Sequence, residues 1–398
     1  MLEFLTLKPE AFGLDISDLS LKIVKLKKRG NFFTLSSYGK EEIEPGIIKR
    51  GEIKDEKKLA EIIRESIKKV RGEKLKTNYV VASLPEEKAF LQVIQMPRLP
   101  EEDLKSAVIY EAENYIPTPL EEVYLDYQIV PPIYDHLDHL DILIAALPKK
   151  TVDPYLSALK LAGFVPKVLE IESMAIARAL IKGGATTQPI LLIDLGATRT
   201  SFIIFSGQSL RFTTSIPVSS TSFTEIISKN LGVTLAEAER LKIKYGLEEK
   251  IKINIGDEKT NIKKERGKIF EALIPALIDL VQQIKRYLDY YQTHASHEHL
   301  PPTTFQKNNS NKHKPQKVVG GLPPDGKGIS KIYLCGGGAN LKGLCELLSL
   351  ELKIPVEMGN PWVNILIKEK KEVPELSYEE SLKYTTALGL ALRGIKEK

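Results

Sequence analysis

Phe12-Gly13-Leu14-Asp15-Ile16-Ser17-Asp18-Leu19-Ser20-Leu21-Lys22-Ile23-Val24 and, in the second half of the chain, Leu191-Leu192-Ile193-Asp194-Leu195-Gly196-Ala197-Thr198-Arg199-Thr200-Ser201-Phe202-Ile203 are two copies of one device. In each copy an apolar strand ends in an aspartate, a tight turn of small residues follows, and a second β-rich run leads back through a glycine-containing hairpin, Arg29-Gly30-Asn31 and Ser206-Gly207-Gln208 respectively. Small turn residues let backbone N–H groups approach a phosphate, and an aspartate at each strand end can hold a divalent cation, directly or through water. Two such units predict duplicated halves facing a shared cleft, the arrangement of a two-lobed nucleotide clamp.

The rest of the composition narrows the class. A chain of 398 residues with 42% hydrophobic and 27% charged residues is long enough for two or more domains with their own cores. No apolar run reaches the roughly 18 residues a membrane-spanning helix needs; the strongest, Ile142 to Leu147 and Phe270 to Val281, are short or interrupted by charge or proline. Lys8, Glu10 and Asp15 break any apolar core at the start, so a cytoplasmic location without direct membrane insertion is expected. Cys335 and Cys345 are spaced neither as a redox pair nor as a zinc knuckle and read as reduced core thiols. The net charge of +5 comes from lysines interleaved with glutamates along Glu56 to Arg71 and Glu237 to Lys252, which reads as solvated helix faces; nucleic acid is not an expected partner.

Periodicity and punctuation divide the chain. Residues 1–84 and 166–186 read as a first lobe, 85–165 as an inserted α+β subdomain, 187–220 and 270–398 as a second lobe with a small subdomain at 221–269, and 292–328 as a disordered insertion rich in Pro, Gly and Asn. A long amphipathic helix, Phe270 to Tyr291, is expected to kink or restart at Pro275.

Several motifs are candidates for chemistry. Gly196-Ala197-Thr198-Arg199-Thr200 offers bare backbone plus hydroxyl donors, and Ser17, Ser20 and Lys22 offer two hydroxyls and a cation in the first copy, although Lys22 equally suits a solvent-facing place on an alternating strand. Gly336-Gly337-Gly338-Ala339 lies between a strand and a helix, where a phosphate or flat ring can rest on backbone. It lacks the third glycine of a dinucleotide fingerprint. Glu239 and Lys242, three apart on a capped helix, share one face and suit either an exposed ion pair or a grip on ribose or base. Gly321 to Lys327 imitates a P-loop but has Gly328 where Ser or Thr is required, and His294, His297, His299 and His313 sit in the loop, where the solvated state is expected rather than a metal site.

Taken in order, the Asp15 turn, Glu172 after a re-entering strand, Asp194-Leu195-Gly196-Ala197-Thr198, Ala238-Glu239-Arg240-Leu241-Lys242-Ile243-Lys244-Tyr245-Gly246 and Gly336-Gly337-Gly338-Ala339-Asn340-Leu341 resemble the actin-like ATPase superfamily. Gly13-Leu14-Asp15-Ile16, Glu111-Ala112-Glu113-Asn114-Tyr115-Ile116-Pro117 and Leu147-Pro148-Lys149-Lys150 bring the chain nearest the PilM family of type IV pilus assembly. The resemblance implies an α/β, duplicated actin-like (ribonuclease H-like) two-lobed fold with an inserted α+β subdomain, and an ATP site between the lobes. Asp15 and Asp194 would hold Mg2+, both turns would clamp the phosphates, Glu239 and Lys242 would contact ribose or base, and Gly336 to Ala339 would flank the adenosine. Glu172 falls where relatives place a water-activating residue.

The first turn departs from the family pattern: Ser17 stands where glycine is usual and Asp18 follows, so nucleotide is expected mainly as a structural or switching ligand, with slow turnover at most. The implied partners are the cytoplasmic tail of a PilN-like membrane protein, held between the first lobe and its insertion, and other components of the pilus inner-membrane complex. This would hold the chain at the inner face of the cytoplasmic membrane. An FtsA-like filament protein is the alternative, and a small-molecule kinase of the same superfamily a weaker one.

Overall fold

In the computed structural model the duplicated hairpins sit at equivalent places in two sheets. The structure describes residues 10–30, 32–131, 139–247, 258–294, 328–365 and 375–396. Strands β1 (Phe12–Ile16), β2 (Ser20–Arg29) and β3 (Phe32–Glu42) form an antiparallel meander, with Asp15 opposite Lys22. A short ribbon of β4 (Ile48–Lys49) and β5 (Glu52–Ile53) leads to α1 (Glu56–Lys68), which Asp55 caps by accepting from Lys58 N and which buries Leu59, Ala60 and Ile63 on one stripe. After β6 (Arg71–Gly72), β7 (Tyr79–Leu84) joins β1 in parallel.

The chain then builds a separate three-stranded sheet from β8 (Phe90–Pro97), β9 (Val123–Val130) and β10 (His139–Pro148), in the order β8-β10-β9, with α2 (Glu101–Ala112) packing Leu104, Val108 and Ala112 into its core. Helix α3 (Lys149–Leu161) falls within the span expected for the insertion. It packs Val152, Tyr155, Ala158 and Leu159 into the core of the first sheet, together with Leu14, Leu59 and Ile63. Strand β11 (Val165–Ile171) completes the first sheet beside β7, and α4 (Glu172–Leu180) follows.

The second half repeats this plan strand for strand. β12 (Thr186–Leu195), β13 (Thr200–Gly207) and β14 (Ser209–Ile216) form a meander with Asp194 opposite Ser201. Helices α5 (Ser220–Leu231), α6 (Leu235–Tyr245) and α7 (Glu258–His294) precede β15 (Lys331–Cys335), which lies parallel to β12; α8 (Leu344–Leu352) leads to β16 (Val356–Met358), parallel to β15. The second sheet, β14-β13-β12-β15-β16, thus matches β3-β2-β1-β7-β11 of the first.

Three local expectations change. A single helix, α7, runs through Pro275 without restarting and continues to His294, three residues into the expected loop. Residues 295–327, with His297, His299, His313 and the P-loop imitation, lie outside the described residues. The last helix, expected over Ser377 to Gly394, breaks into α9 (Tyr378–Leu382) and α10 (Thr385–Lys396). Although 270–398 was expected to lie with the second lobe, α10 returns to the first, packing on β1, β2 and α4. The close approach depends on glycines: a Cβ at Gly13 would overlap Ala387 O, and one at Gly389 would overlap Ala175 O. Glu170, buried, then pairs with both Arg178 and Arg393. Among the described residues, no helix is long and apolar enough to cross a membrane.

Candidate functional site

The two aspartate turns open on one cavity of about 640 Å³, a size suited to a small-molecule ligand. Asp15, Ser17, Ser20 and Lys22 line it from the first lobe, Asp194, Gly196, Ala197 and Thr198 from the second, with Glu172, Glu239, Lys242 and Gly336-Gly337-Gly338 around them. Two predicted residues do not reach it. Thr200 is fully buried and donates to Val218 O at 2.7 Å. Successive strand residues point to opposite faces, and the side chain that faces the cavity is the next one, Ser201. Ala339 is buried in the second-lobe core beside Leu341 and Leu344, and of the Gly336–Ala339 run only the three glycines line the cleft.

The two turns are built alike. Ser17 N donates to Ser20 O at 3.0 Å and Gly196 N to Arg199 O at 2.9 Å. The Ser17 hydroxyl folds back to Ser20 O (2.9 Å) rather than standing across the cleft. Asp18 is outside the lining: its carboxylate accepts from Arg50 N and Gly51 N at 3.1 and 3.0 Å, and from Arg199 Nη2 at 3.1 Å. The extra negative charge expected to repel a phosphate is therefore neutralised behind the turn.

Lys22 places a cation beside the first aspartate. Lys22 bonds Asp15 at 2.8 Å; burial opposes its charge, but Asp15, Asp194 and Glu172 outweigh burial and raise its pKa. This settles the open placement of Lys22 in favour of the cleft. Burial pushes Asp194 up to about 6, with Lys22 opposing and Asp15 adding to the rise. Glu172 is pushed up to about 8, by burial first; Arg199 opposes this, and Asp15 and Asp194 reinforce it. Burial leads both rises, and the neighbouring carboxylates add to them. Mg2+ is commonly held by one or two carboxylates plus phosphates and water, which suits Asp15 and Asp194. A Cβ at Gly336 (φ +81°) would overlap Asp194 Oδ1, so only glycine fits this wall.

Helix α6 supplies the far wall. Thr234 caps it by accepting from Glu237 N, and it ends at Gly246. Lys242 is tied to Glu239 at 2.7 Å and donates to Ser220 O, Ser220 Oγ and Thr224 Oγ1, each at 2.8 Å, so its ammonium is fixed rather than free on a solvated face. Sequence reasoning did not assign Arg199, Ser201, Ser220, Lys383, Thr385 or Thr386, all of which line the cavity. Ser201 was readable as the counterpart of Lys22. The residues at 383–386 carry no motif and reach the cleft only because the last helix breaks there.

This architecture is shared with proteins of known structure. MreB5 of Spiroplasma citri bound to AMPPNP aligns at a TM-score of 0.51 and 12% identity over 98% of this chain and 96% of that one. The ethanolamine utilization protein EutJ from Carboxydothermus hydrogenoformans aligns at 0.50 and 14% over 97% and 90%. Sheet order, duplicated turns and interlobe cleft define an actin-like, two-lobed fold.

Within that class the match becomes specific. The family described as type IV pilus assembly protein PilM matches residues 13–303 and 323–395. A solved PilM-PilN type IV pilus biogenesis complex aligns at a TM-score of 0.73 and 28% identity, over 98% of this chain and 99% of that one. The chain belongs to the PilM family of type IV pilus assembly proteins.

Proposed function

We propose that this chain is an ATP-binding scaffold of type IV pilus assembly that binds the cytoplasmic tail of a PilN-like inner-membrane protein and is held at the membrane's inner face through it. The observation that carries this reading is the end-to-end match to a PilM-PilN complex, joined to a cleft whose two turns, aspartates and glycine run converge on one cavity. In this reading Asp15 and Asp194 hold Mg2+, which would neutralise phosphate charge. Ser17, Ser20, Lys22, Gly196, Ala197 and Thr198 receive the phosphates, Glu239 and Lys242 the ribose or base, and Gly336 to Gly338 the adenosine face.

Glu172 lines the cleft and accepts from Glu86 N at 3.4 Å. Slow turnover, with nucleotide as a structural or switching ligand, belongs to this reading because Ser17 stands in the first turn where the resemblance expects glycine.

The test is fluorescence anisotropy of a labelled peptide from a PilN-like tail, titrated with this chain in the presence and absence of Mg-ATP. The reading predicts saturable binding that a scrambled peptide does not show; equal behaviour of both peptides would overturn it.

A further inference from the structure

Arg199 reaches from the β12–β13 turn to the first lobe and to the root of the inserted sheet. Its Nη2 donates to Asp18 Oδ2 at 3.1 Å, and its Nη1 lies 3.0 Å from Glu87 Oε1. The second contact is incomplete: Nη1 and Glu87 Oε1 are both buried, and neither has a hydrogen-bond partner. Arg199 also lines the cavity, whereas Asp18 and Glu87 lie behind it. A residue that lines the space between the two turns thus has its guanidinium held by a pair of carboxylates behind that space.

Those carboxylates are fastened to the segment that carries the insertion. Asp18 holds the Arg50–Gly51 turn, and Gly51 (φ +73°) packs so tightly on Pro85 that a Cβ there would lie 2.6 Å from the proline ring. Lys88 donates to Glu52 at 2.7 Å. Glu86 N donates to Glu172 Oε2, and Glu86 Oε2 in turn accepts from Ser173 N at 3.2 Å. Residues 85–88 run straight into β8, the first strand of the inserted sheet.

We propose that Arg199 couples occupancy of the cleft to the inserted sheet: a polyphosphate between the turns draws the guanidinium off Glu87 and loosens the 85–88 root. This rests on the reading of the cleft as a nucleotide site. The basis is competition between anions for one fork of N–H donors, which matches phosphate as well as carboxylate. Linkage makes the effect reciprocal, so removing the Glu87 charge strengthens nucleotide binding. Glu87 touches no part of the cavity, which separates its effect from loss of a ligand contact.

The experiment titrates Mg-ATP into the full chain and into Glu87→Gln, Arg199→Gln and the double variant, and follows amide exchange over residues 86–97. Glu87→Gln is expected to tighten binding about fivefold, and to change it by less than about twofold in the Arg199→Gln background. Exchange at 86–97 should rise with Mg-ATP in the wild type and not in Glu87→Gln. No tightening, equal tightening in both backgrounds as a through-space field effect would give, or an equal exchange response in wild type and Glu87→Gln would overturn the proposal. A wild-type chain that binds no ATP would instead overturn the nucleotide reading itself, and the coupling with it.

Discussion

Glu172 is a buried cleft residue whose protonation bears on stability. Burial and the neighbouring Asp15 and Asp194 raise its pKa from 4.5 to about 8 against the pull of Arg199. The folded chain therefore keeps a proton that an unfolded glutamate has lost above about pH 4.5. Across that window the folded state binds more protons, and stability falls as pH rises. Melting temperatures of Glu172→Gln between pH 5 and 8 should depend less on pH than those of the wild type and be higher at pH 8; parallel profiles would show that the carboxyl titrates normally. At this scale much of the cleft lining was legible, because the aspartate turn occurs twice in one chain, whereas either copy alone reads as well as a turn former. Thr200 was misplaced because hydroxyl chemistry was read without strand alternation. Arg199 was overlooked because its partners, Asp18 and Glu87, are distant in sequence and meet it only across the lobes.

At the scale of elements, the two meanders were legible from their repeated pattern, whereas the destination of the last helix was not. Thr385 to Lys396 reads as an apolar helix, and such a stripe does not say which sheet it will cover. The information lies in paired small residues whose meaning appears only in three dimensions. Gly389 lies against the α4 backbone with no room for a Cβ. Gly389→Ala should destabilise the chain by about 3 kcal/mol, at the upper end for overpacking against backbone, as measured by urea unfolding. A variant as stable as the wild type would mean that α10 does not pack as described. Helix α3 teaches the same lesson: its position directly after the last inserted strand suggested the insertion, but its buried face, with Tyr155 donating to Gly51 O at 3.1 Å, is turned to the first sheet.

Across the whole molecule, the inserted sheet is bound to both lobes. Besides the 85–88 root, Asp141 on β10 meets Arg211 on β14 at 3.3 Å, with the arginine side chain fully buried. Removing one partner of a buried pair leaves an uncompensated charge, at a typical loss of about 3–5 kcal/mol. Asp141→Ala should show that loss in urea unfolding, and the combined Asp141→Leu and Arg211→Met change should recover most of it; an unaffected Asp141→Ala would place the insertion loosely on the second lobe.

The whole account depends on two carboxylates from opposite lobes serving one metal-bound nucleotide. Calorimetric titration of ATP with and without Mg2+ into the wild type, Asp15→Asn and Asp194→Asn tests this most directly. One Mg2+-dependent site per chain, weakened at least about tenfold by either substitution, is the predicted result, given that each removes a charged ligand. Binding that ignores Mg2+, or that both variants retain unchanged, would contradict it.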